Sequence, residues 1–196
     1  MKVVGLEAAL EEVAGVGHCL VRDALTPAQT AALLAELAPR PFTALEPLIG
    51  TVHQRGDGLT VGVGDEAFPL VARMVSELTG EVTASRIPGT AGYEPNEITC
   101  QRYLDASSGI TPHMDQRRYR VLVAAFTLVG EATFTVFEDR SATKVVRSWT
   151  TRGGDLCLLR APGLAGHSDG RPTHSVAGPA TGARVSLTVR MDQSIL

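Results

Sequence analysis

The chain has little cysteine: Cys19, Cys100 and Cys157, with no close pairing. An odd, widely spaced set argues against a disulfide framework and for free thiols in a reducing compartment. Neither sign of charge is in excess: 18 basic residues stand against 21 acidic, for a net charge of -3. Bulk electrostatics therefore draws the chain neither to nucleic acid nor to an anionic membrane. The most apolar stretch, Val121–Val129, is far shorter than the roughly 20 residues a bilayer span requires. Where a secretory signal would be apolar, the first residues include Glu7, Glu11 and Glu12. Internal repeats, low-complexity tracts and a convincing linker are missing too. A cytoplasmic protein with no membrane partner is expected.

What is present suits one domain over 1–196, because 196 residues with 44% hydrophobic content can bury a sizeable core. The first part, about 1–85, reads as helical support. Val3–Val13 is weakly amphipathic, and His18–Arg22 suits an edge strand. Thr26-Pro27 opens a helix to Leu37, since Thr is a good N-cap and Pro fits the first helical position. A further helix is expected over Ala67–Leu78, with Gly80 stopping it. From Ile98 the pattern changes. Segments rich in alternating or β-branched residues, separated by Gly, Pro, Ser and Asp, continue to about 191. Strands at that spacing imply a mainly β sandwich or barrel with flanking N-terminal helices.

Alternation in the last strand is specific. Val185, Leu187 and Val189 share one face; Arg184, Ser186, Thr188 and Arg190 share the other. If the aliphatic face packs on helices, Arg184 and Ser186 turn into the barrel. A buried guanidinium there needs an anionic partner. Gln101 and Tyr103 share a face of the first strand by the same logic.

His113-Met114-Asp115 follows the Gly- and Pro-containing stretch Ser107–Pro112, which reads as a turn. In extended backbone, residues i and i+2 point the same way, so both side chains can reach one metal. His174, far downstream at the start of another expected strand, supplies a third ligand. Two histidines and one carboxylate make the facial set that holds iron(II) and leaves positions open for substrate and oxygen. The open positions distinguish it from a closed structural zinc site. A second H-x-D, His167-Ser168-Asp169, lies in a Gly-rich loop, and His167 is the rival third ligand. Arg184 could fork onto the far carboxylate of a keto acid chelating the metal, with Ser186 adding a hydroxyl. The plainer alternative for Arg184 is a structural salt bridge.

Jointly these residues resemble the iron(II)/2-oxoglutarate-dependent dioxygenases, especially their AlkB-like and prolyl-hydroxylase-like branches, over about Asn96 to Met191. Gln101-Arg102-Tyr103, Gly109 and His113-Met114-Asp115 look like the AlkB pattern Asn-x-Tyr, Gly, H-x-D, with Gln101 in place of Asn. Gly130-Glu131-Ala132-Thr133-Phe134 is similar to a prolyl-hydroxylase segment, and Gly153-Gly154-Asp155-Leu156 to the family's Gly-Asp strand entry. His174-Ser175-Val176 and Gly182-Ala183-Arg184-Val185-Ser186 are similar to its third ligand and oxoglutarate-binding Arg-x-Ser. The resemblance implies a double-stranded β-helix (jelly roll, cupin-like) holding iron(II), with 2-oxoglutarate as co-substrate and O2 as oxidant. It also implies that Tyr103 hydrogen-bonds the oxoglutarate. Succinate and carbon dioxide would be released as a small molecule is hydroxylated.

For substrate the residues point less sharply. Arg86–Glu97 and Thr51–Asp65 are candidate lids. Arg117, Arg118 and Arg120 could receive an anion or form a solvated rim. Trp149 and Phe137 suit a core role. Nucleic-acid demethylation and a non-catalytic binding module of the same fold are the alternatives. Nucleic acid is the less expected partner on charge.

Overall fold

The computed structural model describes residues 5–105 and 107–195. Helix α1 (Leu6–Val16) leads to strand β1 (His18–Val21) and helix α2 (Pro27–Leu37). Thr26 caps α2 reciprocally: its hydroxyl accepts from the Gln29 N–H while the Gln29 side chain accepts from the Thr26 N–H. Four short strands follow, β2 (Thr43–Ala44), β3 (Leu48–Ile49), β4 (Val52–Arg55) and β5 (Asp57–Val61), before helix α3 (Pro69–Thr83). The remaining strands are β6 (Glu97–Leu104), β7 (Gly109–His113), β8 (Tyr119–Val129), β9 (Ala132–Phe137), β10 (Val145–Thr151), β11 (Leu156–Arg160), β12 (Thr173–Val176) and β13 (Ala183–Asp192).

The strands form two antiparallel sheets. One runs β1-β11-β8-β13-β6-β5-β2 and the other β10-β9-β12-β7-β4-β3. The helices cover the seven-stranded sheet. Leu10, Leu33 and Leu78 from the helices join Phe126, Leu187 and Val189 from its strands in one buried aliphatic cluster. Removing that surface from water is the main stabilising contribution here. β13 is the hinge of the design: Val185, Leu187 and Val189 face this cluster, while Arg184, Ser186 and Thr188 are equally buried on the opposite, inter-sheet face. Among the described residues no helix is long and apolar enough to cross a membrane.

Several local expectations are corrected. The first helix lies at Leu6–Val16 rather than Val3–Val13, and residues 1–4 lie outside the described ones. α3 runs through Gly80 to Thr83, because fully buried Val82 extends the stripe of Val71, Met74, Val75 and Leu78. Ser107–Pro112 is largely strand β7, not a turn. Gly109 has φ +69, and a Cβ there would collide with the Val176 carbonyl, so glycine permits the close approach of β12. Pro112, which has no N–H to donate, sits where the β7–β12 register is irregular between His174 and Val176.

The two proposed lids are also built differently. Thr51–Asp65 is woven into both sheets as β4 and β5. Gly56 lies against β6, where a Cβ would fall 2.6 Å from the Tyr103 ring. In Arg86–Glu97, Thr90 and Tyr93 are buried, and Pro88 O accepts from the Ala165 N–H. Tyr93 packs into the helix-side cluster, and Glu97, the last residue of the segment, already belongs to β6.

Candidate metal centre and ligand chamber

His113 ends β7, Asp115 lies two residues on, and His174 is the second residue of β12, paired directly with His113. The adjacent strands bring the three side chains together, with their ligand atoms all within 4.8 Å of one another. His174 Nε2 lies 3.7 Å from Asp115 Oδ2, and the two imidazole centroids are 4.3 Å apart. Each histidine is turned the same way. His113 Nδ1 contacts the Thr111 carbonyl at 2.9 Å and His174 Nδ1 the Pro172 carbonyl at 3.1 Å. A carbonyl only accepts, so Nδ1 carries the proton and Nε2 presents its lone pair to the cluster. Phe134 stacks flat on His174 at 5.3 Å. Burial pushes the His174 imidazole down to about 4, with Asp115 opposing and His113 reinforcing the shift, so it is neutral at ordinary pH. Two imidazole nitrogens and a carboxylate are the donor set that fits iron(II).

The second H-x-D does not join this cluster. His167 is exposed. Asp169 instead clamps Arg171, with Nε at 2.7 Å from Oδ1 and Nη2 at 2.9 Å from Oδ2. Arg171 Nη1 then donates to the Asp115 main-chain carbonyl at 2.5 Å. The clamp holds the carboxylate below its usual range and fixes the backbone that carries Asp115.

Behind the cluster lies a chamber between the sheets. Arg184 faces Tyr103 across β13 and β6, and Ser186 faces Gln101, so strand register sets the four residues side by side. Arg184 is 3% exposed. Its Nη1 donates to Ser186 Oγ at 3.1 Å and its Nη2 to Thr127 Oγ1 at 3.2 Å, while Nε has no partner among the described residues. No carboxylate in the described residues registers on it, and burial alone pulls the guanidinium down from its ordinary value. The salt-bridge alternative therefore has no carboxylate to supply it. The Tyr103 hydroxyl is raised by burial and opposed by Arg184.

The chamber opens outward, past Gln101, Ile110, His113, Asp115 and Arg190, into a second cavity of about 490 Å³. Arg190 lies on the Arg184 face of β13, as alternation indicates. Its Nη1 donates to Glu97 Oε1 at 3.0 Å and Thr99 Oγ1 at 2.9 Å, and its Nε stands 3.7 Å from Asp115 Oδ1. Opposite Arg190 and Met191, β8 carries a register shift next to Val121, which has φ 64. The sequence also gave no reason to single out Gln54, which β4 places in the outer wall. Arg117, Arg118 and Arg120 line neither cavity; Arg118 pairs with Asp192 at 2.9 Å. Trp149 packs at the edge of the inner apolar cluster, consistent with a core role.

No protein-family model matches the chain, and no curated protein matches it in sequence. Solved structures do. A prolyl-4-hydroxylase from Pseudomonas putida superposes with a TM-score of 0.69 at 16% identity, over 96% of this chain and 99% of that one. The fold is that of the 2-oxoglutarate/iron(II) oxygenases. A prolyl hydroxylase from Trichoplax adhaerens, solved with a hypoxia inducible factor peptide fragment, gives 0.68 at 14% identity, covering 97% and 90%. A 2OG-Fe(II) oxygenase family oxidoreductase from Burkholderia pseudomallei gives 0.62 at 16%, covering 96% and 91%. At such identities the likeness concerns the fold.

Proposed function

We propose that this protein is a cytoplasmic iron(II)- and 2-oxoglutarate-dependent dioxygenase on a double-stranded β-helix, hydroxylating a small molecule. Arg184 carries the proposal. A guanidinium buried with only two hydroxyl partners is costly unless an anion joins it. It sits at the far end of a chamber whose near end is the two-histidine, one-carboxylate cluster. A dicarboxylate keto acid matches both ends: one carboxylate and the keto oxygen for the metal, the other carboxylate for Arg184.

His113, Asp115 and His174 would hold the iron(II), their orientation fixed by the Thr111 and Pro172 carbonyls and the Arg171 clamp. Arg184 would receive the far carboxylate in two charge-assisted hydrogen bonds, with the Ser186 and Tyr103 hydroxyls beside it. Gln101 stands at the junction of the two cavities, in reach of co-substrate and substrate alike. Bound there, iron(II) and 2-oxoglutarate supply oxidation of a C–H bond by O2, with succinate and carbon dioxide released. Phe134, Val176 and Leu159 line the chamber and keep water from the reacting centre.

Anaerobic protein should bind one iron(II) and develop a visible metal-to-ligand charge-transfer band only when 2-oxoglutarate is added. Succinate should then form in air. No band and no succinate would leave a binding module of the same fold.

A further inference from the structure

The outer cavity bears almost no free charge. Leu45, Ile49, Val52, Leu59, Ile110 and Met114 give its wall an apolar character, and Thr43, Thr60 and Thr99 add neutral hydroxyls. Besides the imidazole of His113, the carboxylate and the guanidinium lining it among the described residues are those of Asp115 and Arg190, of opposite sign and 3.7 Å apart, and Arg190 is further engaged by Glu97. Loading the centre preserves the balance. Two co-substrate carboxylates would offset Arg184 and Arg190, and Asp115 with Glu97 would offset the two charges of the iron. An ionic group seated against this wall would give up part of its hydration without gaining a free counter-ion.

One polar side chain in the wall is built to read a ligand. Gln54 is 8% exposed. Its main-chain N–H donates to the Pro47 carbonyl at 3.0 Å, and its Nε2 donates to the Glu46 carbonyl at 2.8 Å. A carbonyl can take only the amide NH2, so the Gln54 carboxamide is fixed in one orientation. Its Oε1 accepts nothing from the described residues, yet it is not among their fully enclosed, unpartnered atoms, so it reaches the cavity it lines.

We infer that the outer cavity takes an uncharged, mainly apolar small molecule bearing an N–H or O–H donor that bonds to Gln54 Oε1. The volume of about 490 Å³ lies in the range of small-molecule sites. Charged metabolites and phosphodiesters are selected against. This rests on the dioxygenase reading, in which that cavity is the substrate's.

The test uses four naphthalene probes differing in one substituent: carboxamide, N,N-dimethylcarboxamide, carboxylate and aminomethyl. Ligand-observed NMR measures their binding both to the protein alone and to the anaerobic iron(II)–oxoglutarate form, without needing turnover. The carboxamide should bind best, with the two ionic probes at least about tenfold weaker. The dimethylamide, lacking a donor, should be about two- to twelvefold weaker than the carboxamide, the range of one net hydrogen bond. Gln54→Met should close that gap and leave the oxoglutarate midpoint unchanged. Equal or tighter binding of an ionic probe, binding by none of the four, or a gap that persists in Gln54→Met overturns the inference. The wild-type ranking alone decides the charge class if the variant does not fold. Failure of the dioxygenase reading shows separately, as a missing charge-transfer band.

Discussion

The layer between the helices and the seven-stranded sheet and the space between the two sheets share β13, yet they are built on opposite terms. In the outer layer Leu10, Leu78, Phe126 and Leu187 pack side chains without a polar atom, each at most 1% exposed, and the one hydroxyl orphaned in that cluster among the described residues is that of Tyr93. In the inner space Tyr103, His174, Arg184, Ser186 and Thr188 are almost as buried, and Arg184 has only hydroxyl partners. Burial of the first lowers the free energy of the fold; the polar groups buried in the second raise it. A protein tolerates buried charge and orphaned hydrogen-bonding atoms where a ligand completes them. The contrast along one strand is what marks the inner space as the working part.

Substitutions should separate the two regions. Asp115→Ala should have the largest functional effect: turnover is lost and iron(II) affinity falls by more than about 100-fold, beyond what removing a supporting residue costs. Its thermal midpoint should hold, as calorimetry of metal-free protein would show; a large fall would make Asp115 structural. Phe126→Ala should do the reverse, costing about 3–5 kcal/mol in denaturant unfolding while the folded fraction keeps its oxoglutarate affinity. An altered affinity there would show that the regions are coupled. Acid should act through the inner space. His174 is depressed from 6.5 to about 4, so between those values the unfolded chain binds the proton and the native protein does not. Stability of metal-free protein should therefore fall by about 3 kcal/mol as pH drops from about 6.5 to about 4, and His174→Phe should flatten that slope in urea titrations. A slope unchanged in the variant would place the effect elsewhere. Arg171→Met should weaken iron(II) about 10- to 100-fold by freeing the Asp115 backbone, measured by metal competition.

Much of this contrast was legible in the residues. Strict alternation in β13 put Arg184, Ser186 and Arg190 on one face, and extended backbone around His113 and Asp115 put two ligands together. Strands from β8 to β13 announced themselves by length and β-branched content. The strands from β2 to β5 and strand β7 did not, because glycine and proline there read as loop. Gly56 and Gly109 are in fact places where neighbouring backbone leaves no room for a Cβ. His174 was preferred to His167 for the strand expected to start there, and the pairing of that strand with β7 sets it beside His113. Gln54 was invisible for a related reason: its significance lies in the Glu46 carbonyl that orients it, a contact made by two short segments with no pattern of their own.

The central claim is that Arg184 is buried to bind a carboxylate, and its affinity for 2-oxoglutarate tests that directly. Arg184→Lys keeps the charge but replaces a planar fork by a single point donor. Titrating 2-oxoglutarate into the anaerobic iron(II) protein, with the charge-transfer band as readout, should show the variant binding about ten- to a thousandfold more weakly, a loss of roughly 1.4–4 kcal/mol. Iron(II) affinity should be unchanged, because Arg184 lies outside the ligand cluster. An unaltered oxoglutarate midpoint in the folded variant would contradict the account and leave Arg184 as a structural cation.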